Sequence, residues 1–140
     1  MSAEWIVELK FTLHADVAKR YCNLLHITQN GNKDVYGDRN PAFFYDKYTG
    51  KLIIHSALNG DKFSTVGREI SFNTEYTVQV HQRYKSGGVY KYSVILNGVE
   101  IHSMDNTQAS QFFNVKVWAG TPWELSCNGW IKDVKITNFL

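Results

Sequence analysis

Apolar and polar residues alternate with period two along most of the chain, and this pattern constrains its fold most. In the first such segment Trp5, Val7, Leu9, Phe11 and Leu13 share one phase, and polar residues dominate the other. Successive side chains of a strand point to opposite faces of a sheet, so the segment predicts a strand with one buried and one wet face. No segment has a sustained 3.6-residue apolar stripe, and the sequence therefore predicts no helix.

Turn residues separate further alternating segments, which together predict roughly nine to eleven strands. The further candidates are, in chain order, Tyr21–Thr28, Ala42–Asp46, Lys51–Ala57, Phe63–Val66, Glu69–Phe72, Tyr76–Val80, Tyr90–Leu96, Val99–His102, Phe112–Trp118 and Trp130–Phe139. The pair Asn97-Gly98 is typical of a two-residue hairpin turn, whereas the Asn-, Asp- and Gly-rich segment 29–41 predicts a long loop. Many short strands without helices favour a two-sheet antiparallel β-sandwich.

The composition is typical of one globular domain, and we expect residues 1–140 to fold as a single β-sandwich. A net charge of +2 is too small to indicate nucleic acid or an anionic membrane surface as a partner. No apolar stretch approaches the length that crosses a bilayer, so membrane insertion is not expected either.

Aromatic residues make up 14% of the chain, and we expect a few of them to remain at the surface after the core is filled. Such side chains fill sheet cores and also stack on ligands. We interpret Trp5 and Trp130, in the terminal strands, as core residues, and we expect a bulge near Asp133. Trp118 and Trp123 flank a short turn, where a side chain has fewer core residues to pack against than in a strand. This makes them candidates for a ligand platform.

The two cysteines, Cys22 and Cys127, are 105 residues apart and lack the Cys/His spacing of a zinc site. They form either one long-range disulfide or two buried thiols. Either arrangement is compatible with the sequence.

Three parts of the chain resemble laminin-G-like, concanavalin-A-like sandwich domains. They are FNVKVWAGTPW at 113–123 with NGWIKDVKI at 128–136, GDRNP at 37–41 after LHIT at 25–28, and KLIIH at 51–55. The resemblance implies a jelly roll whose first and last strands pair. It also implies binding of glycans, glycoproteins or other protein partners, sometimes with calcium at the rim of the sandwich.

The resemblance implies an extracellular location as well. The chain begins directly with a strand pattern and not with a secretory leader, so a cytoplasmic location is the alternative. Galectins share this architecture, but their His-x-Asn-x-Arg, Val-x-Asn and Trp-x-x-Glu signature is absent. Arg39-Asn40 lacks the preceding His, and neither Trp118 nor Trp123 has Glu three residues later.

A sugar site needs an aromatic platform and planar polar groups that hydrogen-bond neighbouring hydroxyls. The candidate ligand-binding residues are Asp38, Arg39, Asn40, His55, Asn59, Asp61, Trp118 and Trp123. The alternative for Arg39 is that it only holds its own loop in place through an Asp. The alternative for His55, as for His14 and His26, is a strand histidine that simply faces solvent.

Calcium is a further alternative, because five Asn and Asp side chains fall within eleven residues of one loop. They are Asn30, Asn32, Asp34, Asp38 and Asn40. Turns favour the same residue types for their own hydrogen bonds, and no D-x-D-x-D-G loop is present. We therefore expect no resident metal or other cofactor.

Catalysis is not expected. Glycoside hydrolysis needs two carboxylates flanking the bond, and no predicted strand carries Asp or Glu two residues apart on one face. No G-x-S-x-G nucleophile motif is present. The sequence thus predicts a non-catalytic carbohydrate-binding module. The alternative is a structural or adhesion module that binds protein, or assembles as a homo-oligomer, through a sheet face.

Overall fold

The computed structural model describes residues 1–120 and 124–140, and the chain in these ranges folds into ten strands. They are β1 (Glu4–Ala15), β2 (Tyr21–Thr28), β3 (Ala42–Asp46), β4 (Lys51–Leu58), β5 (Asp61–Glu69), β6 (Tyr76–Ser86), β7 (Val89–Leu96), β8 (Val99–Asn106), β9 (Lys116–Ala119) and β10 (Asn128–Phe139). Within these ranges there is no helix of the length and apolarity that a bilayer crossing requires.

The strands form two antiparallel five-stranded sheets that pack as a sandwich, which confirms the predicted fold class. Sheet A has the order β10-β1-β6-β7-β8, and sheet B has the order β5-β4-β3-β2-β9. The first and last strands pair as expected, with Glu4 opposite Phe139. Among the described strands, five of the nine consecutive pairs are neighbours in a sheet. The other four pairs lie in different sheets: β1 and β2, β5 and β6, β8 and β9, and β9 and β10.

The core lies between the inner faces of the two sheets, and the alternation of β1 predicts its contribution correctly. Trp5, Val7, Leu9, Phe11 and Leu13 are each 2% exposed or less. Sheet B contributes the other half of the core, from Leu25, Ile27, Phe43, Leu52 and Ile54. Some buried polar side chains bond to each other. The hydroxyl groups of Ser56 and Tyr92 are 2.8 Å apart, and Asn106 Nδ2 donates to Gln82 Oε1 over 2.8 Å.

The two-residue hairpin predicted between β7 and β8 is present. Asn97 and Gly98 have φ values of 49° and 79°. Positive φ at both central residues matches the right-handed twist of the flanking strands, which is why Asn-Gly is favoured at such turns.

The strands predicted at 76–80 and 99–102 are longer than expected and end at Ser86 and Asn106. Two further strand predictions were wrong in their extent. Segment 112–118 becomes a strand only from Lys116 onward, because Asn114 has a φ of 52° that interrupts an extended backbone. The buried Phe112 instead packs beside the ring of Tyr36, with ring centroids 5.8 Å apart. Segments 63–66 and 69–72, predicted as two strands, are one strand, β5, that ends at Glu69.

The interpretation of Trp130 as a core residue was also wrong, because its side chain is 36% exposed. The predicted bulge at Asp133 explains this result. Residues 132–135 of β10 lie opposite residues 8–10 of β1, so β10 carries one extra residue, and Asp133 has a φ of 53°. Ile131 and Ile136 can both face the core only across such a bulge, and Trp130 then points outward.

The two cysteines form a disulfide with their Cα atoms 4.8 Å apart. Cys22 lies in β2 of sheet B and Cys127 directly precedes β10 of sheet A. The bond therefore ties the two sheets together at one end of the sandwich.

Candidate functional site

The outer face of sheet B is covered in its middle, which is unusual for a sheet that faces solvent. Every residue of β3 is buried, and so is every residue of β2 after Tyr21. Alternation sends every second side chain away from the core, so His26 and Phe44 must be buried by something outside the sheet. Segment 29–41 provides this cover.

Several hydrogen bonds hold segment 29–41 against the sheet. His26 Nε2 lies 2.6 Å from the carbonyl oxygen of Asp38. The backbone N–H of Ala57 in β4 donates to the carbonyl of Arg39, and that of Asn40 donates to Ile27. The long loop predicted from Asn, Asp and Gly is therefore an ordered cover over β2, β3 and β4.

The polar side chains of the loop mostly hold the loop itself. The carboxylate of Asp38 is fully buried and accepts hydrogen bonds from the backbone N–H groups of Lys33 and Val35. Thr28 Oγ1 bonds to both the N–H and the carbonyl of Gly31. These are the turn interactions for which Asp and Thr are favoured, and they give the loop one shape.

Gly37 is the position where the loop needs a glycine. Its φ is +93°, and a Cβ there would lie 2.8 Å from a ring carbon of Phe112. A larger residue would push the loop away from the segment that precedes β9.

A row of aromatic rings crosses the outer face of sheet B, and we call it the aromatic row: His26, Phe44, His55 and Phe63. Phe44 meets the two histidines edge to face, with ring centroids 6.0 and 5.5 Å away, and His55 is 6.1 Å from Phe63. Each ring belongs to a different strand, from β2 to β5. The row exists because these four strands present the same face side by side.

Arg39 lies over the aromatic row. Its guanidinium carbon is 4.0 Å from the ring centroid of Phe63 and 5.9 Å from that of Phe44. Nη2 donates to Asn32 Oδ1 over 3.0 Å, while Nε and Nη1 are buried without an acceptor among the described residues. Desolvation lowers the pKa of Arg39 from its ordinary value, and the nearby carboxylates oppose this shift. The side chain stays charged, so the face carries a fixed cation.

Desolvation also lowers the pKa of His26 and of His55 below 6.5, and the neighbouring Arg39 charge acts in the same direction. Both imidazoles are therefore neutral at neutral pH. His55 lies within hydrogen-bond distance of Thr65, with 3.1 Å between Nδ1 and Oγ1. Neutral imidazoles offer one donor and one acceptor each, which suits hydroxyl groups.

These shifts predict a loss of stability on mild acidification. The unfolded chain takes up protons on these histidines below pH 6.5, whereas the folded chain resists, so the free energy of unfolding falls as the pH drops through that value. Urea unfolding at about pH 7.5 and about pH 5.5 measures the fall. We expect His55→Gln to reduce it.

The control for this prediction is His14→Gln, since His14 is an exposed histidine at the end of β1. We expect it to keep the wild-type pH dependence. Part of the fall in the free energy of unfolding between about pH 7.5 and about pH 5.5 should also persist in His55→Gln, because desolvation lowers the pKa of His81 too. Equal stability of the wild type at both pH values would contradict the prediction.

Trp118 lies at the other end of the same face, on the edge strand β9. In the sheet register Trp118 is opposite His26, and Lys116 is opposite Thr28. The indole is 36% exposed. A shallow pocket of about 280 Å³ lies beside it, which we call the Trp118 pocket; it is lined by Thr28, Gln29, Asn30, Gly31, Lys33, Lys116 and Trp118.

The structure brings three of the predicted ligand-binding residues to this face: Arg39, His55 and Trp118. Asp38 and Asn40 lie beside them in sequence, but both are buried, with exposures of 0% and 1%. The Asp38 carboxylate stabilises the loop through its hydrogen bonds with the backbone N–H groups of Lys33 and Val35. Arg39 holds its loop through a hydrogen bond to Asn32, where an Asp was the expected partner, and it also lies on this face.

The other predicted residues hold turns or lie outside the described ranges. The Asn59 side chain links the β4–β5 turn to the end of β8, donating to the carbonyl of Asp105 and accepting from the N–H of Thr107. Asp61 Oδ1 accepts from the backbone N–H of Phe63. Trp123 is not among the residues that the structure describes.

Three of the five candidate calcium ligands have other partners. Asn32 accepts a hydrogen bond from Arg39, and Asp34 forms an ion pair with Lys62 at 3.1 Å. The carboxylate of Asp38 accepts a hydrogen bond from a backbone N–H of its own loop. Within residues 1–120 and 124–140, no three His, Cys, Asp or Glu side chains come together closely enough to hold a metal ion.

Sequence reasoning missed Phe44, Phe63, Lys33 and Lys116 as members of this face. Phe44 was detectable, because Phe43 and Tyr45 occupy the core phase of β3 and leave Phe44 on the other side. Lys116 and Trp118 likewise share a phase on β9. Nothing in the sequence indicates that Lys33, in the loop, would lie near them.

No protein-family profile and no curated protein sequence matches the chain. Solved structures do match. Sheep galectin-11, solved in complex with glycerol, is 14% identical with a TM-score of 0.51, over 98% of this chain and 92% of that one. The carbohydrate-binding module CBM66 from Bacillus subtilis is 14% identical with a TM-score of 0.52, over 99% and 76%.

An enzyme shares the fold as well. The endo-β-1,4-glucuronan lyase from the fungus Trichoderma reesei is 12% identical with a TM-score of 0.60, over 97% of this chain and 68% of that one. At such low identities these likenesses concern the fold and not the site. They identify the chain as a jelly-roll sandwich of the concanavalin-A-like type.

Proposed function

We propose that the chain is a non-catalytic carbohydrate-binding module whose site is the outer face of sheet B. The observation that carries the proposal is the exposed indole of Trp118 at the end of a sheet face that also presents Arg39 and His55. A sugar ring has one apolar face that stacks on an aromatic ring, while its hydroxyls need planar donors and acceptors around the edge.

The shape of the face supports this proposal. The Trp118 pocket is shallow and bordered by amide side chains of Gln29 and Asn30, and about 280 Å³ is close to the lower end of the range for small-ligand pockets. It is therefore of a size for a single saccharide unit. The fold shared with a carbohydrate-binding module is compatible with this use.

The non-catalytic part of the proposal concerns the chemistry of the same face. Among the described residues on it, the carboxylates of Asp34 and Asp38 are engaged by Lys62 and by backbone N–H groups. Glycoside hydrolysis needs a pair of carboxylates on either side of the scissile bond. Arg39, neutral histidines and an indole are suited to binding instead.

We expect Trp118→Ala to weaken saccharide binding about tenfold, which corresponds to about 1.4 kcal/mol of lost stacking. A glycan array identifies the ligand, and isothermal titration then compares the affinities. Trp118→Phe keeps a ring and should retain most of the binding. Thermal unfolding of each variant establishes that the edge strand still folds.

Trp130→Ala is the matched control, because Trp130 is equally exposed at 36% but lies on β10 of the other sheet. It should bind like the wild type. Absence of binding to any saccharide, or an equal loss in both tryptophan variants, would overturn the proposal. A changed oligomer size in Trp118→Ala with no saccharide binding would favour the adhesion or self-assembly alternative.

We further propose that the module acts in an oxidising, extracellular environment. The supporting observation is the Cys22–Cys127 disulfide, since such bonds persist outside the reducing cytosol.

A further inference from the structure

Two lysines of the Trp118 pocket, Lys33 and Lys116, have no carboxylate partner among the described residues. Many other cationic side chains of the chain do pair with Asp or Glu: Lys10, Arg20, Lys62, Arg83, Lys85, Lys91 and Lys132. Lys33 and Lys116 differ from other unpaired lysines because both border one pocket.

Both lysines line the same pocket as the exposed Trp118. Lys116 and Trp118 are two residues apart on β9, so their side chains leave the same face of the strand. Lys33 reaches the pocket from the loop, whose path is set by the hydrogen bond from its own N–H to the buried carboxylate of Asp38. Aromatic surface and positive charge therefore meet in one pocket.

Two of the carboxylates near this face already have partners of their own. Asp34 pairs with Lys62, and the Asp38 carboxylate is buried with backbone donors. Arg39 is a third positive charge on the same face. It interacts electrostatically with the carboxylates of Asp34, Asp38 and Glu124. None of these carboxylates lines the Trp118 pocket.

We propose that the ligand of this site is an acidic saccharide, whose ring stacks on Trp118 and whose carboxylate or sulfate lies between Lys33 and Lys116. The inference rests on the function proposed above and adds the class of sugar. A neutral sugar would leave two ammonium groups at its edge without a charged partner, whereas an anionic one forms charge-assisted hydrogen bonds with both. Uronates and sulfated sugars share this chemistry.

The test is isothermal titration with matched pairs of oligosaccharides. The first pair is a uronate oligosaccharide and its carboxyl-reduced neutral form, and the second is a sulfated oligosaccharide and its desulfated form. We expect one acidic member to bind about tenfold more tightly than its neutral counterpart, which is within the range that two surface ion pairs provide. Which pair shows the difference distinguishes carboxylate from sulfate.

The variant Lys33→Gln/Lys116→Gln should remove this preference while still binding the neutral form. Lys19→Gln/Lys135→Gln is the matched control, because it removes the same charge from two exposed lysines that are also unpaired in the described structure and lie outside the pocket. The preference should also weaken as NaCl rises, because these contacts are exposed to solvent.

Equal binding of acidic and neutral forms, or the same loss of preference in both double variants, would overturn the inference and leave the proposed carbohydrate function standing. Failure of every saccharide to bind would overturn both. Tight binding of the acidic form with unchanged affinity in Lys33→Gln/Lys116→Gln would place the anion elsewhere and also overturn the inference.

Discussion

Removing the disulfide with Cys22→Ala/Cys127→Ala is expected to lower the free energy of unfolding by about 2 to 4 kcal/mol. The bond closes a loop between residues 105 apart and so restricts the unfolded chain strongly. In the folded chain it ties β2 of one sheet to the start of β10 in the other. Urea unfolding of the wild type and the double variant at neutral pH measures the difference.

The control for this prediction is chemical reduction. A reductant should bring the wild type to the stability of the double variant and should leave the double variant unchanged. A double variant within about 0.5 kcal/mol of the oxidised wild type would contradict the prediction, since that is the effect of an ordinary surface substitution.

The second large effect is expected for Gly129→Ala, at the start of the pairing between the first and last strands. A Cβ on residue 129 would lie 2.0 Å from the carbonyl oxygen of Thr12 and 2.9 Å from the Cα of Leu13. These are backbone atoms of β1 and cannot rotate away, so the two strands must separate locally. We expect a loss of about 3 kcal/mol in chemical unfolding.

Gly50→Ala is the matched control, because a Cβ there meets nothing within 4 Å. Its φ of +66° still makes alanine unfavourable, and this costs about 1 kcal/mol. The difference between the two variants therefore isolates the clash between β10 and β1. Equal losses would contradict the expected role of Gly129.

The fold was predictable because a sandwich with solvent outside and a core inside imposes period two on its strands. Trp5 to Leu13 obey that period along the whole inner half of β1. The prediction failed for Trp130 because a single extra residue in β10 reverses the phase of every residue beyond it. The sequence predicts a bulge near Asp133 but does not show at which residue of β10 the inward phase changes.

The candidate site was less predictable because Asp, Asn and Arg have the same appearance in sequence whether they bind a ligand or hold a loop. Asp38 and Arg39 are neighbours, yet one is buried with backbone donors and the other lies over Phe63. Only the path of segment 29–41 across the sheet separates the two roles. The same path brings Lys33 into one pocket with Lys116, which lies far along the chain.

The pairing of β1 with β10 has a consequence for how the domain can be engineered. Because Glu4 and Phe139 are antiparallel partners, their Cα atoms are separated by only about 5 Å. A short linker from residue 140 to residue 1 can therefore close the backbone into a ring. New ends can then be opened between Gly87 and Gly88, an exposed turn where neither glycine has a neighbour within 4 Å of a Cβ position. The sandwich is thus suited to circular permutation and to insertion as a cassette into a loop of another protein.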